Sequence, residues 1–231
     1  MPEKNHKILI VDDEPDILEL LQYNLENAGY QVETARDGED ALKKCDSFAP
    51  QLILMDIMMP RMDGVEACRR IRSNPDHAGT YIIFLTARTE EYSEVAAFEG
   101  GADDYLTKPI KPRALVSRIK AYFRRDQLDA GDDQETVIEI ADFIIDKSSY
   151  TIRRQDQEIT LPKKEFELLY FLAKNPERVY SREDLLKNIW GTDVYVLART
   201  VDVHIRRIRE KVGSQYIRTI KGVGYKFVAN P

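Results

Sequence analysis

Three short apolar runs, Ile8–Val11, Leu52–Met55 and Ile82–Leu85, constrain this chain more than any other feature. None shows the alternation of a strand that faces water on one side. Runs of this kind fit strands of a parallel sheet covered on both faces by helices. With Lys7 and Tyr81 at their starts, and with weaker runs at Gln31–Thr34 and Asp104–Leu106, they make five candidate strands. Helical patterns are expected between and after them, at 15–28, 37–48, 63–74, 90–99 and 111–125. The first carries Ile17, Leu18, Leu21 and Leu25 at helical spacing. Five βα units predict an α/β domain with a doubly wound, parallel, five-stranded sheet. Ligands of such a sheet bind at the carboxyl ends of the strands.

Those ends carry chemistry. Asp12 and Asp13 follow the first strand and Asp56 follows the third. Both strands point the same way, so the carboxylates can converge. Their repulsion calls for a hard divalent cation, and Mg²⁺ suits oxygen ligands. Such an ion offsets charge during phosphoryl transfer. Thr86 and Lys108 follow the fourth and fifth strands, where a hydroxyl and an ammonium can hold phosphoryl oxygens. Lys108 precedes Pro109, and an X-Pro bond in a tight turn is a candidate cis peptide. Tyr105, an amphipathic ring on the fifth strand, can sit out or turn inward if Thr86 shifts toward a phosphate. That makes it a two-state packing element.

The segments ILIVDDE, LILMDIMMPRMDG, FLTAR and GADDYLTKPI resemble the receiver domain of response regulators over about residues 6–125. The resemblance implies that Asp56 takes a phosphoryl group from a histidine kinase. It implies that Asp13, Asp56 and the backbone carbonyl of Met58 ligate Mg²⁺ while Asp12 assists through water. Thr86 and Lys108 would hold the phosphoryl oxygens and Tyr105 would be the switch aromatic. Met58 and Arg88 flank the pocket, where their counterparts tune the phosphoryl lifetime.

Charge divides the chain. Residues 1–134 carry a net of −9, residues 135–231 a net of +3, and residues 199–226 a net of +6. The polar, acidic stretch 126–135 reads as a linker between domains at 1–125 and 136–231. After it, residues 137–161 read as short antiparallel strands. Helices are expected at 163–174, 182–190 and 199–212, followed by a hairpin over Tyr216–Phe227 around Gly222–Gly224. This is the outline of an α+β winged helix. On 199–212, Val201, Ile205, Ile208 and Val212 form one apolar face, with Arg199, Val203, Arg206 and Arg207 off it. Arginines so placed suit guanine edges in the major groove. Lys221 on the thin turn suits the minor groove. Arg218, Thr219 and Lys226 suit phosphate.

The segments LPKKEFELLYFLAKNPERVYSREDLLKNIWG, RTVDVHIRRIREKV and IRTIKGVGYKF resemble the OmpR/PhoB winged-helix domain. The resemblance implies that Arg207 is a principal base reader and that Thr200, Val203 and His204 lie at the groove. It also implies that the loop Gly191–Ala198 faces RNA polymerase, and that the whole chain binds promoter DNA as a homodimer formed on phosphorylation. The family's receiver dimer uses an ion pair whose positions here hold Glu94 and Ala114. The dimer is therefore expected to be weaker than usual and to rely on Asp103, Asp104, Arg118 and Arg125.

Two other readings fit parts of the pattern. A Mg²⁺-dependent phosphohydrolase also uses an aspartate nucleophile, but usually with a second acid two residues on, where this chain has Met58. A phosphate-independent DNA binder with a degenerate receiver conflicts with the complete acid, hydroxyl and lysine set. The expectation is a regulator, not a turnover enzyme. Two cysteines outside any CxxC pair, no signal-like N-terminus and no run long enough to span a bilayer lead to the expectation of a soluble cytoplasmic protein.

Overall fold

The computed structural model describes residues 6–87, 100–129, 136–155, 157–191 and 199–230; for 87, 125–129 and 199 it describes the backbone alone. The helix expected at 90–99, Arg88 and Glu94 lie outside the described residues, as do 130–135 of the expected linker and 192–198 of the expected polymerase-facing loop. The chain forms two compact units, Met1–Tyr122 and Phe123–Pro231. None of its described helices is long and apolar enough to cross a membrane.

In the first unit, β1 (Lys7–Val11), β2 (Gln31–Ala35), β3 (Leu52–Asp56), β4 (Tyr81–Ala87) and β5 (Asp104–Lys108) form one sheet in the order β2-β1-β3-β4-β5. Every pairing is parallel. The three apolar runs are buried throughout. Each such Val, Leu or Ile contributes about 1.5–3 kcal/mol relative to an exposed one, so these runs dominate the unit's stability. β4 and β5 run further than the apolar residues suggest. Thr86 pairs with Thr107 and Ala87 with Lys108, so Thr86 and Lys108 belong to the strands rather than following them.

The helices α1 (Pro15–Asn27), α2 (Gly38–Phe48), α3 (Gly64–Ser73) and α4 (Pro112–Asp129) follow β1, β2, β3 and β5. Leu18, Leu21 and Leu25 form the buried stripe of α1, and Pro15 sits in its first turn, where no backbone donor is needed. Asp37 and Asp63 cap α2 and α3, accepting from Asp40 N and Glu66 N at 2.8 Å each. α4 continues through Asp129, four residues into the stretch expected to be linker. Residues 126–129 contain no helix breaker, and the first glycine beyond them is Gly131.

In the second unit, β6 (Val137–Ile140), β7 (Phe143–Asp146), β8 (Thr151–Arg154) and β9 (Gln157–Ile159) form an antiparallel meander. The helices α5 (Lys163–Lys174), α6 (Arg182–Ile189) and α7 (Arg199–Val212) follow. β11 (Ile217–Ile220) and β12 (Gly224–Phe227) make the hairpin, and β10 (Tyr180–Ser181) adds a third strand against β12. β10 was not legible as a strand, because two residues carry no periodicity. The hairpin's two glycines do different work. Gly222 takes a positive φ of 77° in the turn. Gly224 lies in the strand, where an added Cβ would stand 1.9 Å from the Tyr180 carbonyl oxygen.

Candidate functional site

β1 and β3 are neighbours at the point where the strand order reverses, which is where an open α/β sheet has its crevice. Asp12 follows β1 and Asp56 ends β3. Carboxylate oxygens of Asp12, Asp13 and Asp56 all lie within 4.8 Å of one another. At that separation two unit charges repel by about 3 kcal/mol at an effective dielectric near 20. Asp12 and Asp56 are buried and Asp13 is exposed, so the cluster opens to solvent on one side. Burial foremost raises the pKa of the Asp12 carboxyl; the Asp56 charge adds to this, and Lys108 and the Glu14 amide oppose it.

Lys108, whose peptide bond to Pro109 is cis, enters the same crevice. Its Nζ lies 2.8 Å from Asp56 Oδ2, 2.9 Å from Asp12 Oδ2 and 3.3 Å from Glu14 Oε1. Burial alone would lower the ammonium's pKa, but the hydrogen bond to Asp56 and the charges of Asp56 and Asp12 outweigh it and raise it above the ordinary lysine value. One ammonium against three carboxylates leaves negative charge in excess. Asp12 Oδ2 is buried, and although Lys108 is at ion-pair distance it is not aligned to donate a hydrogen bond there. An oxygen-only, electronegative cluster with one open side and a poorly satisfied buried oxygen fits a hard divalent cation.

The loop after β3 shapes the crevice. Met58 N donates to Asp56 Oδ1 at 3.3 Å while its side chain is exposed. Gly64 N donates to the Ile57 carbonyl at 2.9 Å. A Cβ on Gly64 would stand 2.0 Å from the carbonyl oxygen of Asp56, so only glycine lets α3 start this close to the acceptor. The sequence reading missed this residue and Glu14. The signal for Gly64 was a glycine directly after an N-cap aspartate, where most residues would serve.

Thr86 and Tyr105 are both buried. Phe84 pairs with Tyr105 and Thr86 with Thr107, so Tyr105 is the diagonal neighbour of Thr86 on one sheet face.

Two residues expected on the dimer face, Asp103 and Asp104, are engaged within the chain. Asp103 is fully buried; its Oδ2 accepts from Ile82 N at 2.8 Å and from Arg72. Arg72 also donates to the carbonyls of Gly101 at 2.8 Å and Thr80 at 2.7 Å. Asp104, also buried, pairs with Arg118 of the same chain at 2.6 Å. Neither aspartate is exposed in the free chain. Intramolecular partners distant in sequence satisfy charges that read as exposed. The Arg125 side chain lies outside the description, and Ala114 is exposed at the start of α4.

In the second unit, Val201, Ile205, Ile208 and Val212 of α7 are fully buried, as the spacing predicts. Thr200 and His204 are buried beside them, the His204 ring 5.1 Å from that of Trp190. Their expected place at the groove is therefore corrected. They are one turn apart, on the row flanking the apolar stripe, and a threonine and an imidazole widen it. The remaining outward row is half-buried Val203, exposed Arg206 and half-buried Arg207, with the Arg199 side chain outside the description. Arg206 Nε lies 3.1 Å from Glu210 Oε1. Arg207 NH1 lies 3.3 Å from Oε1 of the buried Glu165 on α5.

Lys221, Gly222 and Val223 are exposed at the hairpin turn, and Arg218 and Thr219 are exposed on β11. Thr219 Oγ1 accepts from Arg209 NH2 at 2.8 Å, and Arg209 also bonds the Ile217 carbonyl. Lys226 is paired with Glu177, so a phosphate would have to displace that carboxylate. Tyr225 Oη donates to Asp202 Oδ1 at 2.6 Å, and Arg182 Nε reaches the same oxygen at 2.7 Å. Burial, helped by Asp202, pushes the Tyr225 hydroxyl up to about 12. The hairpin is thus tied to α7 by hydrogen bonds from both of its strands.

A parallel five-stranded sheet with an acid cluster at its carboxyl edge, in one chain with a winged helix, defines a receiver joined to a DNA-binding domain. Residues 8–120 match the family model described as response regulator receiver domain, and residues 156–227 that described as transcriptional regulatory protein, C terminal. The chain is 43% identical to the alkaline phosphatase synthesis transcriptional regulatory protein PhoP of Bacillus subtilis, over 96% of each chain. It is 42% identical to the transcriptional regulatory protein ResD of the same organism, over 96% of this chain and 95% of the relative. Among solved structures it resembles the response regulator DrrB of Thermotoga maritima, an OmpR/PhoB homologue. That identity is 37% over 96% of this chain and 99% of that one, with a TM-score of 0.50. The chain belongs to the OmpR/PhoB family of two-component response regulators, whose members regulate transcription through a DNA-binding winged helix.

Proposed function

We propose that Asp56 accepts a phosphoryl group from the phosphohistidine of a kinase and that the phosphorylated chain binds promoter DNA. The observation that carries this reading is the convergence of Asp12, Asp13, Asp56 and Lys108 at the switch point of the sheet. An Asp56 carboxylate oxygen attacks phosphorus, the P–N bond breaks, and the departing imidazole is protonated by solvent. Asp13, Asp56 and the Met58 carbonyl would hold Mg²⁺, with Asp12 acting through water; the ion supplies positive charge for the transferring oxygens. Lys108 and the Thr86 hydroxyl hold those oxygens after transfer. The movement of Thr86 is passed to Tyr105, its diagonal neighbour.

On DNA, Arg199, Val203, Arg206 and Arg207 face the major groove, with Arg207 the base reader. Lys221 enters the minor groove, and Arg218 and Thr219 meet phosphate. The loop 191–198 contacts RNA polymerase. The phosphorylated form is a weak homodimer that can draw on Asp104 and Arg118 only by exchanging their present intrachain pairing. The protein works in the cytoplasm and turns over no external substrate.

The test is labelling by acetyl phosphate. Wild type takes label only with Mg²⁺, and Asp56→Ala takes none. Label that persists in Asp56→Ala, or forms equally in a chelator, would overturn the assignment. DNA binding should weaken steeply with salt in parallel, as phosphate contacts require.

A further inference from the structure

We infer that Glu165 is a positioning residue for DNA recognition, holding the guanidinium of Arg207 in the orientation in which α7 offers it to a base edge. The inference rests on the reading of Arg207 as a base reader. Glu165 is the third residue of α5 and is 1% exposed, the more deeply buried of the two acids in that helix's first turns. Its two oxygens serve two cations one turn apart on α7. Oε1 lies 3.3 Å from Arg207 NH1, and Oε2 lies 3.4 Å from Lys211 Nζ. A buried carboxylate persists only where cations compensate it.

The neighbouring arginine shows the contrast. Arg206 pairs with Glu210 on its own helix, with both side chains more than half exposed (69% and 60%). Solvent competes freely for such a pair, and it fixes little. Arg207 is only 18% exposed, and its partner comes from a different helix and is locked by packing. Bidentate recognition of guanine depends on the plane of the guanidinium. A fork tied at NH1 to a fixed carboxylate loses rotational freedom about its last bonds before DNA arrives. α7 therefore carries one solvent-exposed arginine suited to phosphate, which is accepted from many directions, and one pre-oriented arginine suited to a base.

The experiment uses the full chain and a duplex library randomised over about 20 bp, two helical turns. Sequence preference is read from the selected duplexes, and sequence-independent affinity from a mixed-sequence duplex of the same length. Arg207→Ala should erase the preference at one base step; if it erases none, the reading of Arg207 fails and the inference with it. Glu165→Gln should reduce preference at that same step about tenfold, spare the other steps, and leave mixed-sequence binding undiminished, since it removes a negative charge. In the Arg207→Ala background, Glu165→Gln should add nothing. Glu165→Leu carries the same expectations and avoids a buried unpaired amide, in case the glutamine variant folds poorly. Retained preference at the Arg207 step, or an equal fall at every step, would overturn the positioning role. Tighter specific binding in Glu165→Gln would also overturn it, because Glu165 would then be withholding Arg207 from DNA.

Discussion

Two buried carboxylates, Asp12 in the receiver unit and Glu165 in the winged-helix unit, sit in opposite surroundings. Asp12 has two more aspartates beside it and shares one lysine with Asp56. Glu165 faces two cations, Arg207 and Lys211. The first arrangement leaves negative charge unmet, which a metal ion and a phosphoryl group can then rearrange. The second leaves an outward surface rich in positive charge on a framework already neutralised inside. One unit is built around a charge imbalance to be altered by chemistry, and the other around balanced pairs that keep a recognition surface in shape. The largest test of that contrast uses a feature the units share. A Cβ on Gly64 would stand 2.0 Å from the Asp56 carbonyl, and one on Gly224 1.9 Å from the Tyr180 carbonyl. Alanine at either should destabilise its own unit by about 3 kcal/mol, since backbone rather than a side chain must yield. Amide exchange reads the two units separately. Gly64→Ala should also slow labelling of Asp56 while leaving the DNA affinity of the unphosphorylated chain intact, and Gly224→Ala should do the reverse. A cost below about 1 kcal/mol at either glycine would mean that the close approach is not required.

The second test concerns pH, where the units should respond with opposite sign. The Asp12 pKa is raised above its ordinary 3.8, mainly by burial. Its cost to the fold is therefore absent below the unfolded value and grows as pH rises through the folded one. Asp142 is the reverse case. The hydrogen bond from Tyr216 foremost, with Arg154 helping, holds its carboxyl below 3.8. The stability it contributes is present above the unfolded value and is lost as pH falls through the folded one. At neutral pH in a chelator, Asp12→Asn should therefore stabilise the receiver unit by about 1 kcal/mol or more, because a buried charge is removed. Asp142→Asn should destabilise the winged-helix unit at pH 7, and the difference should shrink as pH falls below the ordinary carboxylate value. Thermal melts at pH 7 and pH 3 decide this. A destabilising Asp12→Asn would show that the charge in the crevice is already compensated.

What the sequence reveals differs between the two units for a physical reason. The crevice residues were legible because each apolar run ends on a chemically distinctive residue, and parallel strands bring those ends together whatever the detailed packing. The close approach that requires Gly64 was not legible, because it depends on where the loop after Asp56 returns. The intrachain engagement of Asp103 was not legible for a similar reason: Arg72 lies 31 residues before it, and nothing local pairs them. On α7 the apolar stripe was read correctly from Val201, Ile205, Ile208 and Val212. The groove places of Thr200 and His204 came from the family resemblance; the apolar residues alone do not show that the stripe is wide enough to bury these two polar neighbours. Glu165 carried no signal, since an acid in a helix's first turn ordinarily serves the helix dipole at the surface.

The smallest effect sharpens the comparison most, because it separates stability from function at equal energetic cost. Asp63 caps α3 beside the crevice, accepting from Glu66 N at 2.8 Å. Ser181 caps α6 in a reciprocal box, accepting from Asp184 N at 3.0 Å while Asp184 accepts from Ser181 N at 3.2 Å. Replacing either by alanine should cost about 1 kcal/mol. The consequences should nevertheless differ. The residue after Asp63 is Gly64, whose amide holds the Ile57 carbonyl and whose missing Cβ admits the Asp56 backbone, so a frayed α3 loosens the acceptor itself. Ser181 begins a helix that is tied to α7 by the ion pair of Arg182 with Asp202. Asp63→Ala should therefore slow labelling of Asp56 severalfold, and Ser181→Ala should leave labelling unchanged at the same loss of stability. Equal labelling rates in the two variants would mean that the start of α3 only caps a helix, and that the geometry of Asp56 is set by β3 alone.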